Sequence, residues 1–204
     1  MAKDRVHADE TFRVDAVASA FGVEIGPIIG TNVFQQFFTT IDAPERRLII
    51  SQRGDPAARA AHIARLSGPA RETPFALLGE HFMISRGRVC EDHDVNFIDS
   101  GLAFFRSDQG QAGLMVSTST LEAGGIPAPP TGRFAEIPGS IALGPVHQDG
   151  MMAVAVPDRV WRDFGDWSGI RVDALLSHAF LKNYAWTIDF DRRVYLFHDA
   201  SARR

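Results

Sequence analysis

Pro27-Ile-Ile-Gly-Thr-Asn-Val-Phe-Gln-Gln-Phe-Phe-Thr-Thr-Ile-Asp42 aligns without a gap on Ala174-Leu-Leu-Ser-His-Ala-Phe-Leu-Lys-Asn-Tyr-Ala-Trp-Thr-Ile-Asp189, at a spacing of 147 residues. A fixed spacing between two similar stretches marks one structural unit used twice. Each copy closes on Thr-Ile-Asp and runs into a paired-arginine turn, Arg46-Arg47 and Arg192-Arg193, the first copy holding one extra residue. An apolar run follows in each, Leu48-Ile-Ile50 and Val194-Tyr-Leu-Phe197. The pattern predicts a buried strand, a short helix lying on the core and an Asp-led hairpin. Its arginines face water, and the apolar runs of both copies pack inward.

Working outward, alternation in Phe12-Arg-Val-Asp-Ala-Val17, the run Val23-Glu-Ile-Gly-Pro-Ile-Ile-Gly30 and Arg47-Leu-Ile-Ile-Ser51 predict short strands over residues 11–51. Between them Val33, Phe34, Phe37 and Phe38 share one face of a short helix. Residues 52–73 change character. Gly54-Asp-Pro56 ends the strands, and Ala57 to Leu66 is an alanine-rich helix stopped by Gly68-Pro69, which reads as an interlobe connection. Strand signals return at Phe75–Leu78, Phe82–Ile84, Val95–Ile98, Ile141–Leu143 and Met152–Val156. Thr118 to Ala123 forms one helical turn closed by Gly124-Gly125, and Pro127 to Pro130 is a loop.

Composition narrows the function classes. The 204 residues are 45% hydrophobic and 23% charged with a net charge of −4, enough for one sizeable soluble core and unsuited to a polyanion, so nucleic acid is not an expected partner. One cysteine, Cys90, cannot form an internal disulfide. The polar N-terminus carries no signal-like apolar stretch and no run reaches the roughly 18 apolar residues of a membrane helix. Cytoplasmic is therefore the default location, and periplasmic or secreted the expectation had a signal been removed.

Upstream of the second copy alone, Val95-Asn-Phe-Ile-Asp-Ser-Gly-Leu-Ala-Phe104 ends an apolar strand in an aspartate, a small hydroxyl residue and a glycine. An aspartate there can accept several hydrogen bonds from the tight turn that glycine permits. Phe97-Ile98-Asp99-Ser100-Gly101, followed later by Leu175-Leu176-Ser177 and preceded by Ile28-Ile29-Gly30, resembles the retropepsin-like and pepsin-like aspartic peptidases. The resemblance implies a mainly β fold. Residues 1–51 are the closing part of a first lobe, 52–73 the linker, 74–198 a complete closed-barrel lobe with short helices, and 199–204 a tail.

By the same resemblance Asp99 is catalytic, and Ser100, Gly101, Leu175, Leu176 and Ser177 support its loop. The substrate is an extended peptide or protein bound between lobes under a flap, for which Ile141 to Gly150 is the candidate hairpin. Two facing aspartates share a proton, so that one acts as acid and one as base on a water molecule. No metal or cofactor takes part. Only one such tripeptide is present, so the second aspartate comes from a missing upstream lobe or from Asp99 of another chain in a homodimer. Three departures, the missing first motif, Ser177 for the family's glycine and Leu102 for its small residue, leave an alternative: an inactive peptide-binding or scaffold domain on the same fold.

Other features read as structural. Asp42 and Asp189 open hairpin turns. Cys90-Glu-Asp-His-Asp94 has no second ligand cluster and reads as a polar loop. Trp161, Phe164 and Trp167 read as core or lobe edge. Neither a phosphate-binding glycine loop nor a serine nucleophile elbow occurs.

Overall fold

The computed structural model describes residues 30–66, 68–79, 82–90, 93–102, 106–107, 110–130 and 133–199. The chain divides into two compact units, Met1–Gly30 and Thr31–Arg204, and every described helix and strand belongs to the second. The strands expected over 11–29 lie outside the described residues, as do Ile28 and Ile29.

The repeat is geometrical as well as sequential. The first copy forms α1 (Thr31–Phe34), β1 (Phe37–Asp42) and β2 (Arg47–Gln52); the second forms α5 (His178–Leu181), β14 (Tyr184–Asp189) and β15 (Val194–Asp199). The expected helix through Phe38 stops after Phe34, because Phe37-Phe-Thr-Thr-Ile is an aromatic and β-branched run that favours a pleated surface. Both hairpin loops hold four residues, with Asp42 opposite Arg47 and Asp189 opposite Val194. The extra residue expected in the first turn is therefore absent. Arg46 and Arg193 are the equivalent positions, with φ of 52° and 54°.

The hairpins join in a five-stranded antiparallel sheet of order β2-β1-β14-β15-β3, where β3 is Arg71–Pro74. Thr40 stands opposite Thr187, and these two are also equivalent in the repeat. An internal two-fold axis thus passes between them. The Asp55-Pro56 signal starts α2 (Pro56–Ile63), Asp55 accepting from the N–H groups of Ala57 and Ala58 at 2.8 and 3.2 Å. This helix lies on one face of the sheet rather than spanning a gap: Ile49, Leu66 and Ala185 pack together beneath it.

The remaining strands are β4 (Ala76–Leu78), β5 (Phe82–Val89), β6 (His93–Leu102), β7 (Arg106–Ser107), β8 (Gly110–Ser117), β9 (Phe134–Glu136), β10 (Ser140–Leu143), β11 (Val146–Asp149), β12 (Met152–Val156) and β13 (Ala174–Ser177). They run in the order β11-β10-β5-β6-β13-β8-β12-β9, with β4 on β5 and β7 on β8. The unit is mainly β, as expected. The closed barrel is not found: among the described residues this path is open, ending at β11 on one side and β9 on the other.

One core cluster joins the two sheets, with Leu114, Ile141, Leu176, Phe180, Tyr195 and Phe197 buried in it. α3 is Thr118–Ala123, as expected, capped by the Ser117 hydroxyl. α4 (Asp158–Ser168) was not anticipated. It buries Trp161 against Ile84 and Val172, and ends where Gly169 adopts φ 72°. Phe164 packs half-buried beside it, whereas Trp167 is 72% exposed.

Candidate functional site

β6 and β13 run parallel, an arrangement that requires the long crossover between them. Ala174 pairs with Phe97, Leu175 with Ile98 and Leu176 with Asp99; the next pair is Ser177 with Leu102. One step along β13 thus spans three along β6. The surplus residues are Ser100 and Gly101, so the chain bulges out of the ladder immediately after Asp99. Antiparallel pairing of β5 with β6 covers His93 to Ile98, and Ile98 opposite Ile84 is the last pair before Asp99. The fold therefore brings Asp99, Ser100 and Gly101 beside Leu175, Leu176 and Ser177.

The β13 residues are held firmly. Leu176 is buried in the main cluster, and Leu175 packs half-buried in the cluster of Ile84, Trp161 and Val172. The Ser177 hydroxyl donates to the Ala112 carbonyl at 2.5 Å and accepts from the Ala179 N–H at 3.0 Å. It therefore fastens β13 to β8 and caps α5. Those bonds direct the Ser177 side chain toward β8 and α5.

The hairpin β10–β11, the sequence candidate for a flap, is anchored to the five-stranded sheet. The Thr73 hydroxyl donates to the Leu143 carbonyl at 3.2 Å, and the Tyr184 hydroxyl donates to the His147 carbonyl at 3.1 Å. At its tip Gly144 has φ 56°, and a side chain there would meet Thr73 Oγ1 at 2.5 Å. Glycine is needed for both reasons.

Two polar groupings escaped the sequence reading. Under α2, buried His62 is hydrogen-bonded through Nε2 to Thr40 Oγ1 at 2.7 Å and through Nδ1 to Ser51 Oγ at 2.8 Å. Thr40 Oγ1 is in turn 2.5 Å from Thr187 Oγ1 on the axis. Burial, then the charge of Arg65, lowers the His62 pKa to about 4. Only the shared Thr-Ile-Asp hinted at this chain of hydroxyls.

The second grouping lines a cavity of about 430 Å³ that includes Ser119, Asp158, Trp161, Arg162 and Asp173. Asp158 accepts from the Ser119 N–H at 3.0 Å and the Thr118 hydroxyl at 2.9 Å; the Ser119 bond is the main cause that holds its carboxyl below the usual range.

Asp42 and Asp189 take equivalent structural parts. Each accepts from the backbone N–H three residues on, Glu45 at 3.4 Å and Arg192 at 3.1 Å, and each pairs with an arginine: Arg47 at 2.7 Å and Arg59 at 2.9 Å. In the Cys90–Asp94 stretch, Cys90 follows β5 as a turn residue at φ 54° and His93 opens β6. A scan against protein-family models gives no match to this chain, and a search among characterised proteins gives none.

Proposed function

We propose that this chain is an aspartic-endopeptidase-like protein built on a retropepsin-like lobe, with Asp99 as one half of a carboxylate pair that hydrolyses peptide bonds. The observation that carries the reading is the β6–β13 crossing: an aspartate at the end of a parallel strand, followed by a two-residue Ser100-Gly101 bulge beside Leu176-Ser177. Such a turn gives a carboxylate close backbone approach. The internal two-fold supports it further, since a symmetric pair of lobes is how two equivalent carboxylates come to face each other. The second aspartate is supplied by an upstream segment or by another chain.

In this mechanism one carboxylate takes a proton from water as its oxygen attacks the peptide carbonyl carbon. The protonated partner gives its proton to the developing oxyanion. Collapse of the resulting diol then breaks the C–N bond: the carboxylic acid formed in the first step protonates the leaving nitrogen, a diol hydroxyl gives its proton to the other carboxylate as the carbonyl forms, and the pair again shares one proton.

The test is digestion of an unfolded protein between about pH 4 and 7, the acidic end favouring the singly protonated pair. Wild-type chain and Asp99→Asn are compared across chain concentrations, with cuts read by mass spectrometry. Cleavage lost in Asp99→Asn supports the reading; a faster-than-linear rise with concentration assigns the second carboxylate to another chain. Equal cleavage by the mutant sinks it.

One observation favours the noncatalytic alternative, a peptide-binding scaffold: Ser177 and Leu102, the two departures from the family, sit opposite each other in a single rung. Under that reading wild type and Asp99→Asn bind extended peptides equally and neither cleaves them.

A further inference from the structure

The cavity of about 430 Å³ beside α4 contains none of the residues assigned to Asp99 and its loop, and its size suits a small molecule. One wall is the α4 face carrying Asp158, Arg162 and Asp166, four residues apart, so that their side chains emerge one turn from each other on one side. Asp158 is engaged, its Oδ1 accepting from Thr118 and Ser119. In the stretch after α4, which also lines the cavity, Arg171 pairs with Asp173 at 2.7 Å. Arg162 and Asp166 remain. Both are exposed and opposite in sign, yet among the described residues neither makes an ion pair or a hydrogen bond. The apolar part of the lining is Trp161, Ile170 and Val172, which pack in one cluster. Trp161 is buried, and its Nε1 has no hydrogen-bond partner among the described residues. A buried donor without an acceptor is costly, and the side chains of that cluster supply none, which leaves the cavity as the source of one.

We propose that this cavity binds a free α-amino acid with an apolar side chain, its carboxylate on Arg162, its ammonium on Asp166 and its side chain against the apolar lining. The charge pattern selects the class. Arg162 and Asp166 are rooted about 5–6 Å apart at Cβ without pairing, a spacing that lets one compact zwitterion engage both at once. A simple anion would face the carboxylates of Asp158, Asp166 and Asp173, and a simple cation the guanidinium groups of Arg162 and Arg171. A ligand carrying both charges and no net charge avoids either conflict. Its carboxylate is also an acceptor of the kind that the Trp161 N–H lacks. The inference goes beyond peptide hydrolysis and stands whether or not Asp99 is catalytic.

Isothermal titration of the full chain with leucine and with phenylalanine tests it. N-acetyl-leucine, which lacks the ammonium, and leucinamide, which lacks the carboxylate, are the one-charge controls. The expected result is one saturable site for at least one of the two amino acids, with each leucine analogue bound at least about tenfold more weakly than leucine for want of one charge-assisted contact. Arg162→Gln and Asp166→Asn should each weaken the amino acid by a similar factor and leave the thermal melt unchanged, because both side chains are exposed. Arg159→Gln, exposed on α4 but outside the cavity, should leave binding as it is. Proton–nitrogen NMR reads the place of binding, since the Trp161 indole N–H resonance should move with saturation more than that of Trp186, buried in the other cluster. The absence of saturable binding of either amino acid at millimolar concentration overturns the proposal. So does a one-charge analogue that binds as tightly as leucine, or an affinity that both cavity variants leave unchanged.

Discussion

Leu48 and Tyr195 occupy the same place in two copies of one hairpin, yet Leu48 is 44% exposed and Tyr195 only 2%. The local sequence does not cause the difference. Both hairpins have four-residue loops, an Asp-led turn and a positive-φ arginine before the second strand. What differs is the chain laid over them. β14 and β15 are covered by Leu176 of the ten-stranded sheet, by Phe75 between β3 and β4 and by Phe180 of α5, whereas the corresponding face of β2 has no such cover among the described residues. Burial here belongs to tertiary context, and apolar pattern alone indicates only which residues are available for it.

The sharpest way to break that comparison is to truncate the same position in each copy. Phe197→Ala removes a fully buried ring from the joint core and should cost about 3–5 kcal/mol in chemical denaturation. Its equivalent, Ile50→Ala, should stay within about 0.5 kcal/mol. Equal losses would mean that the β2 face is covered inside a single chain.

The opposite face of the sheet, under α2, is buried in both copies, and there the expectation concerns pH. Imidazole ordinarily titrates near 6.5, and His62 is lowered to about 4 by burial and then by Arg65. Between those values the unfolded chain binds a proton that the folded chain refuses. Stability is therefore full above about pH 6.5 and falls as pH drops to about 4, by about 3 kcal/mol in all. Urea melts across this window should show the slope, and His62→Gln should flatten it. An unchanged slope in the mutant would place the acid sensitivity elsewhere.

Much of this architecture was legible beforehand. The repeat located both hairpins because its spacing is set by local chemistry: Thr-Ile-Asp, a turn, an apolar strand. Asp99-Ser100-Gly101 and Leu175-Leu176-Ser177 were marked as neighbours by resemblance, and β6 and β13 are adjacent. Less legible was anything decided by distant partners. Arg71–Thr73 reads as linker because these residues hold little apolar signal, yet with Pro74 they become β3 by pairing with β15. Asp158–Ser168 carries glycine, two further aspartates and exposed Trp167, so its helical stripe of Trp161 and Phe164 was hidden among charged neighbours. The exposure of Leu48 and Ile50 had no signal at all, since inward-packing and outward-facing apolar strands are written with the same letters.

The smallest effect gives the finest comparison, because it contrasts two adjacent residues at the axis. Thr39 and Thr40 are both fully buried and point to opposite faces of β1. Thr40 Oγ1 is hydrogen-bonded to His62 and Thr187, whereas Thr39 Oγ1, on the side of Ile188, has no hydrogen-bond partner among the described residues. Valine has nearly the same shape as threonine but lacks the hydroxyl. At Thr40 the change strands buried polar atoms of His62 and Thr187 and should cost about 1–2 kcal/mol. At Thr39 it removes an unsatisfied buried oxygen and should raise stability by about 1 kcal/mol. Opposite signs in paired melts would establish that the two-fold seam is held by the Thr40–Thr187 contact on one face and by apolar packing on the other; a loss at both positions would mean that the Thr39 hydroxyl has an acceptor in solution.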